Sequence, residues 1–200
     1  MSKHSFLKSL LSEMEKYETS SNQTLNQNNS IECSEINQTI QTIQSSQSYP
    51  PLSMNDTKQV SNMLDNVLFL GSQFSTKVGT INKLNIKVII SIGCNPLTEN
   101  DSSITYYKYD VEDNGGYDNV NYFFTQLIPE IHLVINHCIQ TNTPVLVHCQ
   151  AGISRSATVI ITWFMKYKNM SYLDAFNYVK SRRSVITPNL TFREWMEHKM

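Results

Sequence analysis

One cysteine and one arginine lie at a spacing suited to phosphoryl chemistry. Five residues separate Cys149 from Arg155, and Gly152 stands in the middle of them. The preceding run, Val145–Val147, is apolar and predicts a buried strand, and a helical pattern follows Arg155. A glycine-containing turn between a strand and a helix can direct consecutive backbone N–H groups at an oxyanion, assisted by the positive end of the helix dipole.

Each residue type in this segment has a chemical use. Helix N-termini and neighbouring cations favour the thiolate form of a cysteine, so Cys149 is predicted to be a nucleophile. Arg155 can bind two phosphate oxygens at once, which a lysine cannot do. The Ser156 hydroxyl is expected to donate to the sulfur and ease its departure, whereas His148 is expected to order the turn rather than act as a base. The residues predicted to bind phosphate are Gln150, Ala151, Gly152, Ile153, Ser154 and Arg155.

Short apolar runs alternate with helical patterns from Val60 onward. The predicted strands are Asn66–Leu70, Lys87–Ile92, Thr105–Val111 and one that begins with Val145–Val147. The predicted helices are Thr76–Leu84, Tyr117–Gln140 with a kink or restart at Pro129, Ser154–Tyr167, one capped by Ser171 and Asp174, and one that starts at Thr187–Pro188. This alternation predicts an α/β fold with a mainly parallel central sheet flanked by helices. Ligands bind beyond the carboxyl ends of such strands, where Cys149 lies.

Composition divides the chain into three parts. Residues 1–18 have the spacing of a short amphipathic helix that is available to contact a partner, and residues 19–59 predict a disordered linker because 26 of these 41 residues are Ser, Thr, Asn or Gln. Residues 60–200 form the predicted catalytic domain. A net charge of −1 argues against nucleic-acid binding. No apolar run is long enough to span a membrane, and the cysteines have no disulfide-like spacing, so we expect an intracellular protein of the cytoplasm, the nucleus or both.

The segment His148–Ser156 resembles the His-Cys-x5-Arg-Ser signature of the cysteine-dependent protein phosphatases. Its intervening residues are most similar to those of the dual-specificity phosphatases, especially the catalytic domains of the MAP-kinase phosphatases. The resemblance extends over about residues 60–200. Further family patterns occur at Leu68–Ser72, Val88–Pro96, Val111–Asn114, Arg182–Ile186 and Pro188–Phe192.

This resemblance implies the cysteine-dependent phosphatase fold and a protein phosphatase that acts on phosphotyrosine, phosphoserine and phosphothreonine through a phosphocysteine intermediate. It places Asp113 at the general-acid position and Asn189 at a supporting one. The residues alone do not rank Asp113 above Asp110 or Asp118. Phosphorylated proteins are the implied partners, with MAP kinases among the candidates.

Two departures keep other functions open. The segment has no lysine, unlike that of the phosphoinositide-directed relatives, and 59 mostly polar residues stand where the MAP-kinase phosphatases carry a folded regulatory domain. The alternatives are a catalytically silent phosphopeptide-binding scaffold and a phosphatase for lipid, RNA or carbohydrate phosphates.

Cys94 is a candidate redox partner for the nucleophile. It follows the predicted strand that ends at Ile92, so it is expected at the same sheet edge as Cys149, where it could form a reversible disulfide after oxidation. The alternative is a small buried apolar residue. His132, His137 and Cys138 are poorly spaced for a shared ligand set, so neither a metal nor another cofactor is predicted.

Overall fold

The computed structural model describes residues 59–99, 101–113 and 116–200. The amphipathic helix predicted for residues 1–18 lies outside the described residues, and so does the linker predicted for residues 19–59, apart from Gln59. The domain boundary at residue 60 therefore stays a prediction. Each described helix is too short or too polar to cross a membrane.

In the described part of the chain, five strands form one sheet, with the strand that precedes the candidate nucleophile in the middle. The strands are β1 Val60–Leu64, β2 Leu68–Ser72, β3 Val88–Ile92, β4 Thr105–Tyr109 and β5 Val145–Cys149. Their order across the sheet is β1-β2-β5-β3-β4. β1 and β2 pair antiparallel, and the other three pairings are parallel, which confirms the predicted mainly parallel α/β sheet.

The edge strand β1 was outside the prediction, and the strand predicted to start at Asn66 begins two residues later. β1 lacks regular alternation of apolar and polar residues, and its register shifts between Asn62 and Leu64. Asp65 and Asn66 both have positive φ, at 46° and 58°, so they form the tight turn between β1 and β2. Short polar side chains tolerate this left-handed backbone, which makes Asn66 a turn residue.

Six α-helices occur in the described part of the chain. They are α1 Val78–Lys83, α2 Tyr117–Tyr122, α3 Ile128–Gln140, α4 Arg155–Tyr167, α5 Tyr172–Arg182 and α6 Leu190–His198. α5 is capped as predicted, because Ser171 Oγ accepts from Asp174 N at 3.1 Å. α6 starts later than Thr187–Pro188, since Asn189 is its N-cap and accepts from Phe192 N at 2.8 Å.

The helical run predicted over residues 117–140 changes its geometry just before Pro129 without ending. α2 continues into a π-helical stretch, Phe123–Leu127, which leads directly into α3. Proline has no N–H to donate to the carbonyl four residues earlier, and that carbonyl, of Thr125, lies within the π-helical stretch. The wider π turn thus accommodates the missing hydrogen bond of the proline, which lies in the first turn of α3.

The three central strands and α4 form the core. Every residue of β2, β3 and β5 is buried, and nine consecutive residues of α4, Ser156–Phe164, are buried between the sheet and the neighbouring helices α3 and α5. Strands buried on both faces are typical of a parallel sheet with helices on each side. Ligands of parallel sheets bind at the carboxyl ends of the strands, and Cys149 stands at that end of β5, the middle strand.

Candidate active site

Cys149 ends the central strand and is nearly enclosed, with 2% of its surface exposed. Its Sγ accepts a hydrogen bond from Gly152 N at 3.2 Å and another from the Ser156 hydroxyl at 3.2 Å. Two donors directed at one sulfur suit a thiolate, both as an attacking group and as a leaving group. The structure thus brings Ser156 to the atom on which it was predicted to act.

The phosphate loop, residues 150–155, depends on glycine where it passes the neighbouring strand. Gly152 has φ +67°, and a Cβ on it would lie 2.5 Å from Gly71 O in β2. That distance is far below any normal carbon–oxygen contact, and the positive φ would strain an L-residue as well. Both constraints require glycine at position 152. In this backbone conformation the Gly152 N–H contacts Cys149 Sγ.

Arg155 begins α4 and is anchored at one end of its guanidinium. Its Nη1 donates to Gly93 O at 3.0 Å and to Val111 O at 3.1 Å. Its Nε is buried and lies 3.8 Å from Asp113 Oδ1, too far for a hydrogen bond. Neither of these two atoms hydrogen-bonds to any group of the described residues. An anionic ligand that carries an ester oxygen can therefore bond to both atoms. Arg155 Nε can donate to one of its anionic oxygens, and the Asp113 carboxyl group, when it holds a proton, can donate to the ester oxygen.

Asn189 connects the segment of Asp113 to the phosphate loop. Its side-chain Nδ2 donates to Asp113 O, and its backbone N donates to Ser154 Oγ at 3.0 Å. Its Oδ1 meanwhile caps α6. One residue therefore fixes the candidate acid relative to Arg155, as expected of a supporting residue.

The two rival carboxylates lie in other surroundings. Asp110 lines a separate cavity of about 170 Å³ together with Glu112, Asn119 and Tyr122. Asp118 is exposed in the first turn of α2. Of the three candidates, Asp113 is the one whose carboxylate approaches Arg155, at 3.8 Å. The geometry thus favours Asp113, as the family resemblance does.

His148 is fully buried, and its ring is engaged on both sides. Its Nε2 lies 2.8 Å from Ser91 Oγ, and its Nδ1 lies 3.7 Å from Cys94 Sγ. Burial lowers the pKa of His148 to about 4, so the imidazole is neutral at neutral pH. These contacts favour the predicted ordering role over proton transfer at the sulfur.

Cys94 lies beside the active site at the end of β3, as its position in the sequence indicates. Its thiol is partly exposed, and its Sγ contacts the ring of His148. Burial and, to a smaller extent, the nearby charge of Cys149 raise the pKa of Cys94 to about 11, against an opposing effect of Arg155. Because Cys149 directly follows His148, the two cysteines lie at the same edge of the sheet.

Sequence reasoning missed the groups that hold Arg155 in place. These are the carbonyl oxygens of Gly93 and Val111. Gly93 has φ +65°, and a Cβ there would collide with Val111 O and with the Arg155 guanidinium. The sequence signal for this contact is a glycine directly after β3. Its carbonyl meets Arg155, however, only because β3 pairs with β5.

Known proteins are similar to the part of the chain that contains this site. The family model described as "Dual specificity phosphatase, catalytic domain" matches residues 68–199. Protein 123R of Invertebrate iridescent virus 6 is 51% identical over 65 residues, which are 32% of this chain and 46% of the viral protein. Human dual specificity protein phosphatase 1 is 34% identical over 126 residues, which are 62% of this chain and 33% of the human protein. The chain thus spans less than half the length of these two relatives.

A solved structure is similar over most of its own length. The human tyrosine phosphatase-like serine/threonine/tyrosine-interacting protein is 31% identical and superposes with a TM-score of 0.61. The alignment covers 70% of this chain and 94% of that one.

Proposed function

Because the chain belongs to the dual specificity phosphatase family, we propose that it hydrolyses phosphotyrosine, phosphoserine and phosphothreonine in proteins through a phosphocysteine on Cys149. The observation that carries this proposal is the donor arrangement at one sulfur, where Gly152 N and the Ser156 hydroxyl each lie 3.2 Å from Cys149 Sγ. Arg155 and Asp113 lie at the same end of the sheet, 3.8 Å apart. A nucleophile, an anion-binding cation and an acid are what phosphoryl transfer through a covalent enzyme requires.

In the first step, Cys149 Sγ attacks phosphorus, the phosphorus–sulfur bond forms and the bond to the ester oxygen breaks. Asp113 gives its proton to that departing oxygen, and the product alcohol or phenol leaves. In the second step, the Asp113 carboxylate takes a proton from water while the water oxygen attacks phosphorus. The phosphorus–sulfur bond breaks, inorganic phosphate leaves, and the Ser156 hydroxyl stabilises the departing thiolate at 3.2 Å.

Arg155 and the loop amides stabilise the transferred group. Nη1 is committed to Gly93 O and Val111 O, which leaves the edge that carries Nε to face the equatorial phosphate oxygens. A rigid, partly buried donor set stabilises developing charge better than water does, because no reorganisation is needed during the reaction.

The substrate class is proposed from the composition of the phosphate loop. Residues 150–154 carry no charged side chain, so the loop offers no lysine for the extra phosphates of a phosphoinositide. We therefore favour phosphoproteins, including those of MAP-kinase signalling, encountered inside the cell in the cytoplasm, the nucleus or both. Residues 1–18 are a candidate partner-binding segment outside the described residues.

A substrate panel tests this proposal. The purified 200-residue chain would be assayed against phosphotyrosyl and phosphothreonyl peptides, a doubly phosphorylated kinase peptide and phosphoinositides, with released phosphate as the readout. We expect turnover of both peptide classes and little turnover of the lipids. Preferential hydrolysis of phosphoinositides would contradict the assignment to phosphoproteins.

Replacing the acid should have an effect that depends on the leaving group. Asp113→Asn keeps the side-chain size but cannot protonate the ester oxygen, so we expect a loss of about a hundredfold in kcat/KM on phosphotyrosine. On an activated aryl phosphate, whose phenol leaves without a proton, the loss should be much smaller. The measurement is kcat/KM against leaving-group acidity for both enzymes.

The matched control is Asp118→Asn, at an exposed rival carboxylate on α2. It should retain the leaving-group dependence of the wild type. An equal loss on all substrates for Asp113→Asn would remove Asp113 from the acid role.

A silent phosphopeptide-binding scaffold is the second candidate, and one observation favours it. The similar solved structure is named as phosphatase-like and as an interacting protein. Such a scaffold needs the anion-binding loop but not a nucleophile, whereas Cys149 here accepts two hydrogen bonds at its sulfur. Phosphopeptide binding without any release of phosphate by the wild type would favour the scaffold.

Oxidation should link Cys94 to Cys149. Peroxide converts the Cys149 thiolate to a sulfenic acid, releasing hydroxide, and attack by Cys94 sulfur would then form the disulfide and release water. Because the pKa of Cys94 is raised to about 11, we expect this second step to be slow at neutral pH and faster as the pH rises. Non-reducing peptide mass spectrometry after peroxide treatment should detect the linked pair. Over-oxidised Cys149 without any link at alkaline pH would exclude it.

A further inference from the structure

Four successive carbonyl groups of the phosphate loop, those of residues 150–153, each accept a hydrogen bond from a donor outside the loop. Because the C=O and the following N–H of one peptide unit point in opposite directions, an outward carbonyl turns the next N–H inward. The contact from Gly152 N to Cys149 Sγ is one result. The four outer contacts are Gln73 N to Gln150 O at 3.1 Å, Arg183 Nη2 to Ala151 O at 3.3 Å, Arg183 Nε to Gly152 O at 2.8 Å and Thr187 N to Ile153 O at 2.9 Å.

Arg183 supplies two of these four contacts from a single side chain. It directly follows α5 and is 4% exposed, so its guanidinium lies inside the protein behind the loop. Burial of a charged group is costly unless its donors find acceptors. The planar fork of an arginine can bond two successive carbonyls at once, which a lysine ammonium on a flexible stem cannot reproduce.

The location of Arg183 also adds positive charge behind the nucleophile. Burial lowers the pKa of Arg183, and the charge of Cys149 partly offsets that effect, so the two groups interact electrostatically. Arg155 faces the ligand side of the loop, whereas Arg183 contacts the loop through its outward carbonyls. The two arginines thus act on opposite sides of the same turn.

We propose that Arg183 is a positioning residue of this active site: by holding the Ala151 and Gly152 carbonyls outward, it keeps the loop N–H groups directed at the phosphoryl oxygens without touching the substrate. The inference rests on the proposed function, since the phosphoryl group is the anion in question. It assigns part of the oxyanion affinity to a residue behind the loop that the Cys-x5-Arg pattern does not include.

The experiment measures oxyanion binding as well as turnover. Arg183→Met, which removes both contacts and the charge, and Arg183→Lys, which keeps the charge but not the fork, are compared with wild type in the 200-residue chain. Arg182→Met is the matched control, because Arg182 is exposed and stacks on Tyr178 at 3.6 Å from the ring centroid. The readouts are the dissociation constant of vanadate, kcat and KM for a phosphotyrosyl peptide, and the thermal midpoint.

We expect Arg183→Met to weaken vanadate binding about tenfold or more and to lower kcat, because misplacement of a donor set by a fraction of an ångström weakens binding and catalysis. Arg183→Lys should lose most of the same affinity, and Arg182→Met should bind as wild type does. Lower global stability alone would lower the thermal midpoint but leave the dissociation constant of the folded protein unchanged. If Arg183→Met does not fold, Arg183→Lys alone decides.

Two results would overturn the inference. One is vanadate binding within twofold of wild type by a folded Arg183→Met. If the methionine variant does not fold, the same result for Arg183→Lys has the same meaning. The other is wild-type affinity in Arg183→Lys together with loss in Arg183→Met, since charge and not the two-carbonyl fork would then matter. A wild type that binds vanadate without hydrolysing phosphopeptides would refute the proposed function, whereas the vanadate comparison would still decide the role of Arg183.

Discussion

Cys149→Ser should lose at least about a thousandfold in kcat while phosphopeptide binding stays measurable. The substitution is nearly isosteric, so the Gly152 N–H and the Ser156 hydroxyl keep an acceptor in place. A serine hydroxyl, however, needs a base to become a nucleophile. His148 cannot supply one, because its ring contacts Ser91 and Cys94 and burial lowers its pKa to about 4.

The test pairs steady-state phosphate release with calorimetric binding of a phosphotyrosyl peptide. Cys138→Ala is the matched control, since Cys138 is another buried cysteine, on α3, and is 2% exposed. It should retain turnover once the folded fraction is taken into account. Substantial phosphate release by Cys149→Ser would contradict a cysteine nucleophile.

Arg155→Lys is expected to cause the second large loss, about a thousandfold in kcat/KM, equivalent to about 4 kcal/mol of transition-state stabilisation. In the proposed mechanism arginine performs two tasks at once: Nη1 holds the Gly93 and Val111 carbonyls at 3.0 and 3.1 Å, which leaves the edge that carries Nε for the phosphate. One ammonium cannot do both, so a lysine must leave either the carbonyls or the phosphate without its donor. Charge alone therefore does not restore activity.

Vanadate affinity measured beside kcat/KM separates ligand binding from chemistry. Arg182→Lys, at the exposed arginine that stacks on Tyr178, controls for a general effect of the substitution. An Arg155→Lys enzyme within tenfold of wild type on both readouts would show that the bidentate arginine is dispensable.

The strand and the helix that flank the candidate site were predictable because their signals are local. A glycine-containing turn between an apolar strand and a helix is visible in the sequence, and the buried Val145–Cys149 strand and α4 confirm it. The Ser171 cap was also readable, because its partner Asp174 is three residues away. Short-range patterns of this kind need no knowledge of the fold.

What the sequence could not provide were contacts between distant segments. Arg155 is held by a carbonyl 62 residues earlier in the chain, and Arg183 bonds the carbonyl of Gly152, 31 residues before it. Backbone acceptors have no residue type to recognise, so these partners follow only from sheet order and loop packing. β1 was missed for a related reason, because an irregular edge strand is defined by its pairing with β2.

Trapping of the covalent intermediate tests the cysteine mechanism most directly. Wild-type protein would be mixed rapidly with a phosphotyrosyl substrate, quenched in acid, digested and analysed by mass spectrometry for the peptide that contains Cys149. In the wild type we expect one phosphoryl group on Cys149, formed and lost at rates consistent with kcat. Its amount should be greater in Asp113→Asn if that substitution slows water activation more than cysteine attack. It should be absent in Cys149→Ser. Turnover with no phosphoryl group on Cys149 at any quench time, under conditions where phosphocysteine survives, would contradict it.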